Sequence, residues 1–455
     1  MAVKVERLLV CNGRVVAGGR SDGGRIISDG AVLTEGNRII AVGTRRELRG
    51  KGRGAQEIDA RGGVIMPGLV NAHMHLYSSL ARGLAPLGPP PRNFPAVLRQ
   101  LWWPLDAALD RSSLRASAEV ALVECLRSGT TTVIDHHESQ SFQKGSLKVL
   151  EQALRRTGVR GALCLGVSDR YGRGPEGLEE NISWAARIAA REQGRQEPIK
   201  AMIGLHAAFT VEEATLKKAV QAAEELDLGL HLHVAEDLTD QRECRKKYGL
   251  SVVQRLARGG ALGPRTLAVH GVHLSRQEIR LIAASGTNLV HNPQSNMNNA
   301  VGVCPVSRLL RKYVVVGLGT DGMTADMRQE ARSALLLHKH ASGNPSAFFE
   351  EACRLLLVNN PTLVRKVLGW KLGRLRPGYL ADIIVLDYHP PTPFNRSTFM
   401  GHFLFGLIAA PVSTAVVNGV LRMADARVLG VDQKVLARRA SEQASALWKR
   451  FRRGG

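Results

Sequence analysis

The residues best able to do chemistry in this chain are histidines and carboxylates that stand just after short apolar runs. His73 and His75 close the segment Pro67-Gly68-Leu69-Val70-Asn71-Ala72-His73-Met74-His75. Side chains two apart on a strand point the same way, so both imidazoles can address one metal ion. Without a metal, two adjacent inward histidines would need several hydrogen-bond partners. Other runs end comparably, in His231-Leu232-His233-Val234-Ala235-Glu236, in His270, in His291-Asn292-Pro293 and in Gly317-Leu318-Gly319-Thr320-Asp321-Gly322. Imidazoles and a carboxylate at successive run ends make a nitrogen and oxygen donor set that suits a borderline divalent ion such as Zn²⁺ or Fe²⁺.

Something must bring those run ends to one place. Eight short apolar runs, at 64–66, 131–134, 161–165, 201–205, 230–234, 267–269, 288–290 and 314–318, alternate with helix-period stretches such as 112–127 and 211–226. A strand-helix unit repeated eight times is the layout of a closed parallel barrel, whose chemistry sits where the strands end. Before it, residues 5–60 alternate apolar and polar positions between glycine turns, and strand-like segments return at 381–386 and 414–420. The expected fold is therefore α/β, a distorted (β/α)8 TIM barrel over 64–370. A small β-sandwich domain is expected from residues 1–63 and 371–430, followed by a basic carboxy-terminal helix over 431–455.

Composition bounds the function. The chain has 455 residues, 44% hydrophobic and 22% charged, which is enough to bury one large core or two ordinary ones. No apolar run approaches the roughly 18 to 20 residues that cross a bilayer. The segment Met1-Ala2-Val3-Lys4-Val5-Glu6-Arg7 has no signal-peptide core, so a cytoplasmic location is expected. Six cysteines without a Cys-x-x-Cys pair read as reduced core thiols. The net charge of +22 invites a polyanion partner, yet the basic clusters at 45–53 and 434–453 interleave no stacking aromatics, so neither nucleic acid nor membrane is expected as a partner. In the tail, Val435, Leu436, Ala440, Leu447 and Trp448 form a stripe expected to pack on the protein itself.

The motifs together, Pro67 to His75, His233-x-x-Glu236, His270, His291-Asn292-Pro293-x-Ser295-Asn296 and Gly319-Thr320-Asp321-Gly322, resemble the amidohydrolase superfamily along the whole chain. The nearest resemblance is to the branch of cytosine, guanine and adenosine-type deaminases and triazine hydrolases. The stretches 89–94, 101–106, 133–138 and 296–302 are similar to SsnA-type aminohydrolases. The resemblance implies His73, His75, His233 and Asp321 as ligands of one divalent ion, zinc ahead of iron. A second ion is not implied, because the fourth run ends Gly204-Leu205-His206 without the lysine of binuclear members. It further implies a homodimer and three catalytic groups: Asp321 takes the proton of water, His270 orients that water, and Glu236 protonates a ring nitrogen. His206, with Glu236, is implied to contact substrate, and His231 to be structural.

The implied reaction is hydrolytic deamination of an amino-substituted nitrogen heterocycle, a purine-like or pyrimidine-like small molecule. Ring opening of a cyclic amide or amidine is the rival, and a non-catalytic metal protein that binds a polyanion is a weaker one. Nucleoside-type members carry an acid and a tryptophan in the lid after the first strand, whereas this chain has Phe94-Pro95-Ala96-Val97-Leu98. That departure favours a free base over a nucleoside. Trp102, Trp103, Tyr77 and Arg82 are candidates for closing the pocket, and at most one of His136 and His137 is expected to line it.

Overall fold

The computed structural model describes residues 7–191 and 197–454; residues 1–6, from which the absence of a leader was read, lie outside the described residues. Eight parallel strands form the barrel: β1 (Leu69–Met74), β2 (Thr130–His137), β3 (Arg160–Leu165), β4 (Ile199–Ala201 continued as Ile203–Ala207), β5 (Leu230–Val234), β6 (Leu267–His270), β7 (Asn288–His291) and β8 (Val316–Leu318). The ladder is distorted, running from β1 into the first half of β4 and from its second half to β8, with parallel bridges Val167↔Leu205 and Met74↔Asp321 closing the ring. Strand β4 comes close to β3 because Gly204 has no side chain: a Cβ there would lie 2.3 Å from the Leu165 carbonyl oxygen. Nearly every barrel-strand residue is buried, as expected of strands covered on both faces.

The second domain is one mixed sheet of nine strands, in the order Arg427–Val428, Val420–Ala424, Val412–Val417, Ile383–Leu386, Val64–Pro67, Arg7–Val16, Ile26–Glu35 and Arg38–Thr44, with Gln56–Asp59 paired beside Arg7–Val16. It wraps around a shared core that mixes both ends of the chain, Leu8, Val10, Val32 and Ile65 with Ile383, Val385 and Val416. This is a small sheet domain built from both terminal segments, one continuous sheet where a sandwich was expected.

One expected boundary moves. Val64–Pro67 pairs with Arg7–Val16 and Ile383–Leu386, so it belongs to the terminal sheet, and the barrel begins at Leu69. A four-residue apolar run reads alike in the centre of either sheet, whereas the true β1 was masked by the polar Asn71 and His73 within it. Within the second terminal segment, the helical stretch 399–407 packs on the barrel helix Met327–Ser342 instead of extending the sheet.

The carboxy-terminal helix Gln433–Arg453 buries Leu436, Ala440, Leu447 and Phe451 and packs on the barrel helix Arg111–Arg127. Trp448 Nε1 donates to the Leu80 carbonyl (2.8 Å), Arg450 Nε to the Ala108 carbonyl (2.8 Å), and Arg439 pairs with the buried Glu119. Part of the basic tail is thus used internally. All six cysteines are buried free thiols, and no helix among the described residues is long and apolar enough to cross a membrane.

Candidate active site

The site gathers where β1, β2, β5, β6 and β8 end. Gly319, just after β8, sits against His73, where a Cβ would meet the His73 carbonyl oxygen at 2.7 Å. That close approach lets the amides of Thr320 and Asp321 both donate to the same carbonyl (3.0 and 3.1 Å), which fixes Asp321 beside His73. Ala235, His270 and Asp321 all adopt positive φ (50°, 72° and 55°), at or within three residues of the ends of their strands. Three non-glycine residues in the left-handed region around one cluster are strained backbone of the kind that accumulates at functional sites.

The histidines are oriented by their far nitrogens. His75 Nδ1 donates to the His136 carbonyl (2.5 Å) and His233 Nδ1 to the His206 carbonyl (2.8 Å). A carbonyl can only accept, so both rings carry a proton on Nδ1 and turn Nε2 towards the centre. His73 Nδ1 is held by His231 Nε2 at 2.9 Å, which gives His231 its structural role one layer down. His73 Nε2, fully buried, makes no hydrogen bond and lies 3.5 Å from Asp321 Oδ1. His75 Nε2 is 2.8 Å from the same oxygen. An orphaned imidazole nitrogen beside a carboxylate, with neighbouring rings turned to face it through Nε2, fits a divalent cation.

Ligand atoms of His73, His233, His270 and Asp321 lie within 4.8 Å of one another, and His75 reaches the group through Asp321. Burial holds His73 and His233 well below the ordinary histidine range, which keeps them neutral and ligand-competent. Burial also opposes charge on His75, yet the hydrogen bond to Asp321 wins and pushes it up to about 9. Asp321 itself, despite burial, is held well below the usual carboxylate range by His73 and His75. The field at the centre favours positive charge.

Around the centre opens a cleft of about 730 Å³ with two polar groups in its lining. The first joins Glu236, His270, Ser295, Asn299 and Asp321. His270 Nε2 is 3.5 Å from Glu236 Oε2 and 3.9 Å from Asp321 Oδ2, while its Nδ1 is held by Asn296 Oδ1 at 2.9 Å. Ser295 Oγ donates to Asp321 Oδ2 (2.5 Å), and Asn299 Nδ2 reaches Glu236 Oε1 (3.5 Å) and Ser295 Oγ (3.4 Å). Burial, then the nearby Asp321, pushes the Glu236 carboxyl well above its usual range. A carboxyl kept protonated this way can act as a general acid. His206 also lines the cleft, its Nδ1 2.7 Å from Thr210 Oγ1.

The second group is Trp103, Asp106 and Glu138, with Tyr77 beside it. Glu138 was not singled out in the sequence, which drew attention to His136 and His137; neither of those lines the cleft, and His136 lies beneath the ligands, 4.6 Å from His233 between ring centroids. Parity along β2 misleads here because Glu138 stands one residue past the strand, where alternation ends. Trp102, Phe94 and Leu98 line the cleft as well. Arg82 pairs with Glu124 outside it, and His291 pairs with His338 away from the centre (3.4 Å).

The model of the amidohydrolase family matches residues 64–422. A 5-methylthioadenosine/S-adenosylhomocysteine deaminase of Desulforudis audaxviator is 34% identical over 97% of this chain and 99% of its own. A 5'-deoxyadenosine deaminase of Methanosarcina mazei is 32% identical over 92% of this chain and 94% of its own. Among solved structures, a zinc-bound adenosine deaminase from Xanthomonas campestris superposes with a TM-score of 0.81 at 25% identity, covering 97% of this chain and 98% of that one. The matched span contains every strand end that carries a residue of the site, from His73 to Asp321, and on this evidence the chain belongs to the amidohydrolase family.

Proposed function

We propose that the chain is a zinc-dependent hydrolytic deaminase that removes the amino group of an adenine-type ring carried on a nucleoside. The observation that carries this reading is Glu236, a carboxyl buried at the edge of the His/Asp centre 3.5 Å from His270, where burial and the nearby Asp321 disfavour its ionised form. The relatives named for 5-methylthioadenosine, S-adenosylhomocysteine and 5'-deoxyadenosine support the ring and favour a nucleoside over the free base suggested by the lid.

His73, His75, His233 and Asp321 would hold the ion, and their imidazole and carboxylate donors suit zinc. What a divalent ion supplies in such a site is acidity, since water in contact with it deprotonates near pH 7 instead of about 15.7. Asp321 Oδ2 receives the proton of the attacking water while His270 Nε2 orients the oxygen. Glu236 gives its proton to the ring nitrogen next to the carbon under attack, which lets that carbon become tetrahedral. The proton taken by Asp321 then goes to the amino group and ammonia leaves, while the remaining hydroxyl proton passes to Glu236, so that the ring keeps a carbonyl and Glu236 regains its acid form.

Ammonia release from metal-quantified protein, across aminated purine bases and their nucleosides, tests the reading. Release is expected from adenine-type nucleosides, and Glu236→Gln should lower it by roughly 10²- to 10⁴-fold. Full activity in that variant would take the acid role away from Glu236, and no ammonia from any ring would return the assignment to ring-opening hydrolysis.

A further inference from the structure

One short helix reaches all three catalytic groups. Pro293–Asn298 follows β7 and directs Asn296 Oδ1 to His270 Nδ1 (2.9 Å) and Ser295 Oγ to Asp321 Oδ2 (2.5 Å). Asn299, its C-cap, sends Nδ2 to the third group, 3.5 Å from Glu236 Oε1 and 3.4 Å from Ser295 Oγ. Ser295 and Asn299 both stand in the wall of the cleft. A fixed backbone aims the Asn299 amide. Its own N–H donates to the Ser295 carbonyl (2.9 Å), Val301 N to the Asn296 carbonyl (3.1 Å) and His273 Nε2 to the Val301 carbonyl (2.7 Å). Ala300, within that turn, is held at a φ of 52°. Such strain persists only where the surroundings impose it, and it gathers at working sites.

A neutral donor facing an acid sets the state of that acid oxygen by oxygen. A protonated carboxyl has one oxygen that donates and one that accepts. An amide NH₂ only donates, so Glu236 Oε1 is the accepting oxygen and the proton belongs on Oε2, the oxygen turned towards His270 at 3.5 Å. Asn298 Nδ2, 3.4 Å from Asn299 Oδ1, supports that orientation of the amide. When Glu236 gives up its proton, the bond from Asn299 becomes charge-assisted and roughly twice as strong. An interaction that strengthens only as the acid ionises lowers the barrier and leaves substrate binding unchanged. A lysine in the same place would ionise Glu236 before any substrate arrived. We infer that Asn299 is a positioning residue of the reaction, which keeps the acid proton on Glu236 Oε2 and stabilises the carboxylate left when that proton moves to the ring. The inference rests on the deaminase reading above.

A double-mutant cycle on the zinc-loaded protein tests it, with ammonia release from adenosine and 5'-deoxyadenosine as one readout. Inosine affinity by calorimetry, zinc content and melting temperature are the others, and none of them involves proton transfer. Asn299→Leu keeps the bulk and removes the donor, so kcat should fall roughly 5- to 10-fold while KM and the three other readouts stay near the parent values. Asn299→Gln, which keeps a primary amide, should recover part of that loss. In a Glu236→Gln background the same Asn299→Leu change should cost less than about twofold, because no ionising carboxyl is left to stabilise. Parent kcat in Asn299→Leu, an equal loss in both backgrounds, or a loss carried by KM with weaker inosine binding would each overturn the positioning role and leave deamination standing. No ammonia from any ring would defeat the deaminase reading and this inference with it.

Discussion

The two ends of the barrel bury charge in opposite ways. At the amino end, Arg160 opens β3 with no exposed surface and donates to Asp382 through Nε (3.2 Å) and Nη2 (3.0 Å) and to Asn418 Oδ1 (2.8 Å). Asp382 in turn accepts from the Asn418 amide at 2.8 Å, and the guanidinium lies 5.2 Å from the Trp370 ring centre. Those contacts tie the barrel to the terminal sheet and leave one guanidinium nitrogen over. At the carboxyl end the buried charges keep their polar atoms unpaired, from His73 Nε2 to Glu138, and the backbone is strained at three positions. One end spends its charges on cohesion; the other holds them ready for a ligand, the division of labour expected of this architecture.

The largest effect should come from emptying the open end. His75→Ala removes the ring closest to Asp321, and the purified variant is expected to lose its bound metal and with it all measurable turnover, as metal analysis and an ammonia assay would show. His270→Ala should keep about one metal per chain and lose roughly 10²-fold or more in kcat, because an orienting group is gone and a ligand is not. The reverse pattern would make His270 the ligand, which the close grouping of His73, His233, His270 and Asp321 makes a fair contest.

Breaking the closed end should cost stability and spare chemistry. Asp382→Ala leaves Arg160 buried without its counter-ion, a change worth about 3–5 kcal/mol of destabilisation. Denaturant unfolding should show it as a lower midpoint, with metal content and kcat per folded molecule close to the parent. A variant as stable as the parent would mean that solvent reaches Arg160 and that the two ends are not opposed after all.

The same contrast explains what the sequence could disclose. A histidine at the end of an apolar run is conspicuous, so His73, His233 and His270 could be read directly, and Asp321 stood out as a carboxylate after a run rich in glycine. Glu138 was invisible for the opposite reason: it follows two histidines and lies past the strand, where side-chain alternation no longer says which way it points. Arg160 and Asp382 are 222 residues apart, and nothing local to either announces the other. Val64–Pro67 shows the limit for the fold, since a short buried run carries no mark of the sheet it joins.

The smallest expected effect probes whether the open end is tuned as well as open. Ser295 Oγ donates to Asp321 Oδ2 at 2.5 Å and accepts a long contact from Asn299 Nδ2 (3.4 Å), so Ser295→Ala deletes chiefly one bond to a charged carboxylate. Such a bond is worth about 1.5–3 kcal/mol at most, and part of it survives as solvation in an open cleft, so kcat should fall roughly tenfold with the metal retained. The sign of the accompanying pH effect is fixed. A donor to the ionised form lowers a carboxyl pKa, so removing it raises that pKa and moves the ascending limb of kcat/KM to higher pH. A tenfold loss with an unmoved limb would mean that Ser295 only holds the Asp321 rotamer, and the carboxylate would then be tuned by His73, His75 and His270.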